Sequence, residues 1–277
     1  MRELLRAGLS RMMKNKTLWA ATAVLLAWSA GSMLNGCRQA AMSIMSSSDL
    51  FLDHYYFNLA PLLGLFCAVF ISLFLGTEYS DGTIRNKIIV GHSRNTVFLS
   101  HLGVCFTASL VFAAVWFAGG LAGIPFLGWF HMPALQLVCF LLLAVLFIGA
   151  LCAFFTTLGS LFSNKAAGAV SAILLFLALM VLASMIYNRL CEPEMFSGVV
   201  MTAQGIQMGD PVPNPDYLRG GARVFCEILL ELLPTGQGIL LANLEIAHPL
   251  RMALFSLGTI AACTGAGMFA FRQKDLK

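Results

Sequence analysis

Five histidines, eight cysteines and thirteen carboxylates carry most of the reactive potential of this 277-residue chain, and their spacing decides which chemistries are open to it. A zinc hydrolase needs histidines grouped as in HExxH. Here His54, His92, His101, His131 and His248 lie far apart, and each reads as a loop or interfacial residue. Aspartyl proteolysis within a membrane needs paired aspartates in spanning segments, and no long apolar stretch holds one. The hydroxyls Ser171, Ser184 and Ser256 lack a GxSxG setting and read as packing residues between helices. The nearest approach to a phosphate loop, Gly159–Lys165 (GSLFSNK), lacks a second glycine before the lysine and a hydroxyl after it. Cys67, Cys105, Cys139, Cys152 and Cys263 fall in apolar runs, where cysteine behaves as a small apolar residue. Cys37, Cys191 and Cys226 lie between runs, and a Cys191–Cys226 bridge would staple one connection. No catalytic residue, metal site or cofactor site is expected in this chain.

The elements that hold these residues follow from composition. The chain is 59% hydrophobic and only 11% charged, with a mean hydropathy of +0.83. Soluble domains carry about a quarter charged residues. A soluble enzyme, a disordered chain and a nucleic-acid binder with a basic reading face are thereby excluded, and an integral membrane protein is indicated. Six stretches reach the roughly 20 residues that a helix needs to cross a hydrocarbon core. They are Thr17–Leu34, Phe57–Leu75, Thr96–Gly123, Ala134–Phe162, Ala166–Tyr187 and Leu250–Phe271. The third and fourth are long enough to tilt or bend. The first reads as a span rather than a cleaved signal, because its apolar run exceeds the usual signal core and no small-residue cleavage site is evident. Uninterrupted Leu, Phe, Ala and Val are not the alternation of barrel strands, so the expected fold is an all-α membrane protein built as a helical bundle.

Orientation is read from the basic residues. With the N-terminus inside, 12 of the 17 fall on the inner side and five, Arg38, Arg189, Arg219, Arg223 and Arg251, on the outer. Of the 13 acids only Glu3, Glu78, Asp81 and Asp275 are inner. Both termini are expected to be cytoplasmic, with residues 1–277 forming one transmembrane domain: an interfacial helix at 1–16, five spans within 17–187, an outer loop at 188–249, and the last span with a basic tail at 250–277.

Three polar connections remain. In the first 16 residues, Met1, Leu4, Leu5, Leu9, Met12 and Met13 occupy one half of a helical wheel, and Arg2, Arg6, Arg11 and Lys14 lie in the other. This is a basic amphipathic helix suited to the head-group layer. The second, Gly76–Asn95 (GTEYSDGTIRNKIIVGHSRN), holds a short helix that Asp81 can N-cap and Gly91 can end in the left-handed conformation. Ser93 can cap the span that follows. Ile84 and Ile88 share one face, with Arg85 and Lys87 elsewhere, which suits a docking knob for a cytoplasmic partner. The same pattern suits an amphipathic loop resting on the bilayer. In the third, the outer loop, a turn-rich half with Pro211, Pro213 and Pro215 precedes an apolar run, Val224–Leu233. That run, with Glu227 and Glu231 one turn apart, is too short and acidic to span, and reads as a re-entrant or surface helix. Small residues at Gly119, Gly120, Gly123, Gly168, Ala172, Gly265 and Gly267 permit close helix packing. No charge falls in the middle of any span, which argues against an ion-coupled carrier with a carboxylate site.

The run EYSDGTIRNKIIVGHSRNTVFLS, at Glu78–Ser100, resembles the permease subunits of ABC transporters of the type-2 exporter class. The matching positions are Glu78, Gly82, Thr83, Arg85, Lys87, Ser93 and Arg94, and the ending GMFAFRQKDLK at Gly267–Lys277 is similar to that family's closing pattern. With the six-span layout, the likeness covers nearly the whole chain. It implies that Arg2, Arg6, Arg11 and Lys14 belong to an elbow helix. It also implies that Glu78, Asp81, Ile84, Arg85, Lys87 and Ile88 serve the docking of a partner ABC ATPase, which would bind ATP and Mg. A second permease copy or a homologous permease would complete the dimer, in a bacterial plasma membrane and with no role for nucleic acid. The substrate class expected is hydrophobic or amphiphilic: a peptide antibiotic, a drug or a lipid. The alternatives are a membrane scaffold or sensor subunit without transport, and an ion-coupled carrier with a carboxylate-free site.

Overall fold

The computed structural model describes residues 1–42, 51–196, 199–202, 205–208 and 211–274. In chain order, α1 (Arg2–Met13) is followed by α2 (Lys16–Met42), the one-turn α3 (Leu52–Tyr56), α4 (Ala60–Ser80), the short α5 (Thr83–Ile89) and α6 (Arg94–Gly120). A 3₁₀ turn and α7 (Ile124–Leu127) continue α6, and α8 (Ala134–Leu161) and α9 (Lys165–Cys191) come next. Two small antiparallel ribbons follow, β1 (Met195–Phe196) with β4 (Val212–Pro213) and β2 (Val199–Thr202) with β3 (Gly205–Met208). The chain then forms α10 (Gly221–Leu232), α11 (Pro234–Ala242) and α12 (Pro249–Gln273).

Six of these helices, α2, α4, α6 with its extension, α8, α9 and α12, are long and apolar enough to cross a membrane. Their ends differ from those of the apolar runs by a few residues, because caps rather than hydropathy set them. Ser93 accepts from the Thr96 amide and starts α6, and the Asn164 side chain accepts from the amides of Ala166 and Ala167 to start α9. Pro133 precedes α8, while α4 and α12 each carry proline in their first turn, where its missing N–H costs nothing.

The most buried spans are α4 and α8, and α6, α9 and α12 pack around them. Aromatic side chains fill the joints: Phe57 lies edge-on to Trp116 and Phe140, and Phe70 to Phe112 at 5.7 Å. Buried hydroxyls are satisfied mostly by their own helix, Thr22 by the Leu18 carbonyl, Ser72 by Ala68 and Ser109 by Cys105. The expected glycine contacts lie inside the bundle. Gly119 abuts Ser29, Gly123 abuts Met33 and Leu52, and Gly267 abuts Phe98, whereas Gly265 faces open space. Outward faces such as Trp28, Leu174, Val181 and Leu254 are apolar, as lipid requires. All eight cysteines are free, so Cys191 and Cys226 are not bridged.

The acidic helix before the last span is half of a larger device. Pro234 disfavours helix in Leu233, which is extended, and α11 leaves α10 at 97°. α11 then inserts among the spans, with Gln237 and Leu241 fully buried and Gly238 against Phe147 and Pro61. Gln237 donates to the Glu231 carbonyl and accepts from Ser256, so its amide is satisfied at depth.

Candidate functional site

At one end of the bundle α1, the last turn of α4, α5 and the first turns of α6 converge on Glu78. Its side chain is 1% exposed, and a carboxylate at that depth is tolerable only when paired. Arg11 of α1 reaches Oε1 at 3.0 Å, and Lys87 of α5 reaches Oε2 at 2.7 Å. Thr83, at the start of α5, donates to Oε2 at 2.7 Å or to the Glu78 carbonyl at 2.9 Å. Arg11 also pairs with Asp81 and donates to Thr83 Oγ1 at 3.2 Å. Two acids and two bases thus cancel, and three helices are tied to one carboxylate.

His101 completes the group. It is buried, with Nε2 lying 3.1 Å from Lys87 Nζ. The same nitrogen lies 3.7 Å from Glu78 Oε2, so the imidazole packs against both members of the Glu78–Lys87 pair. His101 stands near the start of the third span. It sits two turns into α6, and nothing local in the sequence marks the approach of Lys87.

The local backbone explains how α5 is held. Asp81 does not cap it; the N-cap is Gly82 at φ 66°, a left-handed position that glycine adopts without strain. This leaves the Asp81 carboxylate free to meet Arg11 instead. Gly91, at φ 101°, ends the turn as the sequence suggested. The apolar face of α5 is turned inward: Ile84 is 1% exposed, buried with Leu4, Val97, Phe98 and Phe271, and Ile88 packs on the same cluster. Of the residues that the resemblance assigns to docking, Glu78 and Ile84 are buried and Lys87 and Ile88 half-buried. These four side chains build the knob, and the surface it presents is Arg85, Asn86, Ile89 and Val90, the last two 70% and 77% exposed.

The elbow helix divides similarly. Leu4, Gly8 and Met12 are buried, and Gly8 sits so close to Val104 that a side chain there would clash. α1 therefore packs on α6 through its buried face. Arg2, Arg6 and Lys14 remain exposed, while Arg11 is drawn into the Glu78 cluster.

A second clamp lies beside the first. Arg94 donates to the carbonyls of Phe271, Arg272 and Lys274, capping the C-terminal end of α12, and Arg272 donates to Asn95. Lys274 lies 3.9 Å from the centre of the Tyr79 ring and donates to the Ser160 carbonyl. Burial pushes its ammonium down to about 8, whereas the ring face favours the charged form. The Ser93–Arg94 pair and the basic ending, far apart in sequence, are thus one structural unit.

Fold and site together define a multi-pass α-helical membrane protein whose first two polar connections are held against one end of the bundle. No family model matches the chain, and a search of curated proteins finds no significant match.

Proposed function

We propose that the chain is the membrane-spanning subunit of an ATP-driven exporter of the type-2 ABC class, with ATP and Mg bound by a separate ATPase and with the α5 end on the cytoplasmic side of a cell membrane. The observation that carries this reading is α5 itself. It is a short helix outside the spans, anchored through Glu78 to α1 and α6, that exposes the apolar tip Ile89–Val90 beside Arg85. A rigidly held apolar tip in a polar setting marks an interaction surface. Because α5 cannot move without α1, α4 and α6, force applied at the tip reaches the bundle through contacts already made.

Two copies of the permease, or this chain with a homologous one, would enclose the pathway. The absence of charge in the middle of the described spans leaves ion coupling without a carboxylate site. The expected outcome is co-purification with an ABC ATPase and stimulation of its turnover. Ile89→Asp with Val90→Asp should abolish that stimulation while the chain still inserts and remains monodisperse in detergent. Retained stimulation in that variant would remove α5 as the docking element. Ion-driven uptake into liposomes without any ATPase would favour the carrier reading instead.

A further inference from the structure

At the opposite end of the bundle, the end of α9, the α10–α11 bend and the start of α12 enclose a cavity of about 580 Å³, in the range of small-molecule sites. One wall is apolar, with Leu190, Leu230, Leu240, Leu244 and Ile246. Beside it stand Tyr187, Cys191 and His248 with two arginines and three glutamates, a formal excess of one negative charge with the histidine neutral. Arg251 makes a two-pronged pair with Glu231, and Arg223 pairs through Nε with Glu227 one turn away, its Nη1 being buried without a partner among the described residues. Glu245 is left over. Among the described residues it makes no ion pair, and its carboxylate accepts only the Tyr187 hydroxyl, at 3.1 Å.

The backbone is arranged to put Glu245 there. The Leu244 amide donates to the Leu241 carbonyl and the Glu245 amide to Leu240, the two bonds of a Schellman turn. Such a turn needs a left-handed residue, usually glycine, and here it is Leu244 at φ 59°. A leucine in that position adds a side chain to the cavity wall that glycine would omit.

We propose that this cavity binds a cationic amphiphile, a single positive head group on a hydrocarbon chain. The head would lie at Glu245 beside the Tyr187 ring, the pairing of carboxylate and aromatic that recognises quaternary ammonium. The chain would lie along Leu190, Leu240, Leu244 and Ile246. The position suits such a molecule, because the cavity opens where two spans reach the end of their apolar length, the level of head groups. This binding is independent of ATP coupling and stands or falls apart from the exporter reading.

Cys191, free and exposed, lines the cavity and reports its occupancy, whereas Cys226 on α10 is outside the lining and serves as an internal control. The test is alkylation by N-ethylmaleimide in dodecyl maltoside micelles, followed peptide by peptide by mass spectrometry. Dodecyltrimethylammonium should slow Cys191 at least threefold and leave Cys226 unchanged, and dodecyl sulfate should protect neither. In Glu245→Gln the protection should vanish, with Cys226 reacting at its wild-type rate to show that the fold persists. Equal protection by the two probes, equal slowing at both cysteines, or protection surviving in Glu245→Gln would each overturn the proposal.

Discussion

At the α5 end, Glu78 and Asp81 meet Arg11 and Lys87, the four charges cancel, and buried Glu78 is met by cations from two other helices. At the α10 end, two arginines and three glutamates surround a cavity, and exposed Glu245 has no cation among the described residues. Both ends use the same kinds of side chain, yet one closes on itself and the other stays open. The difference comes from where the helices turn. α5 and α1 fold back onto the spans and deliver their bases to a buried acid. The 97° bend between α10 and α11 instead opens a space that side chains do not fill.

Removing the centre of the closed cluster should have the largest effect. Glu78→Ala leaves Arg11 and Lys87 without their buried partner, and the expected loss is about 3–5 kcal/mol by unfolding in mixed micelles. Replacing Arg11, Glu78 and Lys87 together by methionine should recover most of it, since no charge is then stranded. If the single change costs under about 1 kcal/mol, the cluster is not the anchor of α5.

The open end should respond less. Glu231 is nearly buried but Arg251 is about a third exposed, so Glu231→Gln should cost about 2 kcal/mol, as expected for hydrogen bonds to a charged group. A cost equal to that of Glu78→Ala would erase the distinction between the two ends.

Smaller effects are expected at Gly82 and Leu244, one left-handed residue from each end. Gly82→Ala forces a side chain into φ 66° and should cost about 1 kcal/mol. Leu244→Gly relieves the corresponding strain at the far end but gives up apolar burial, so thermal stability should stay within about 1 kcal/mol of the parent. A loss well beyond that would mean that Leu244 is held chiefly by packing.

Much of this was legible locally. Hydropathy is a running property of the chain, so six spans could be read without knowing their neighbours. The Ser93 cap and the break before Pro234 are likewise matters of adjacent residues. The role of His101 was not legible, because its partner stands 14 residues away on another helix. Ile84 and Ile88 were correctly placed on one face of α5, but the wheel says nothing about whether that face meets the bundle or a partner. One signal did point inward: a carboxylate in the last turn of an apolar helix requires a cation, and Arg11 stood on the basic face of α1.

Amino-acid order alone determined the class of molecule, its span count and its amphipathic first helix, because these follow from how each segment partitions between water and hydrocarbon. The packed structure decided which charges are cancelled, which face of α5 is left for a partner and where a cavity remains. Those outcomes depend on side chains from several helices meeting at distances of a few ångströms, a relation that no single segment contains.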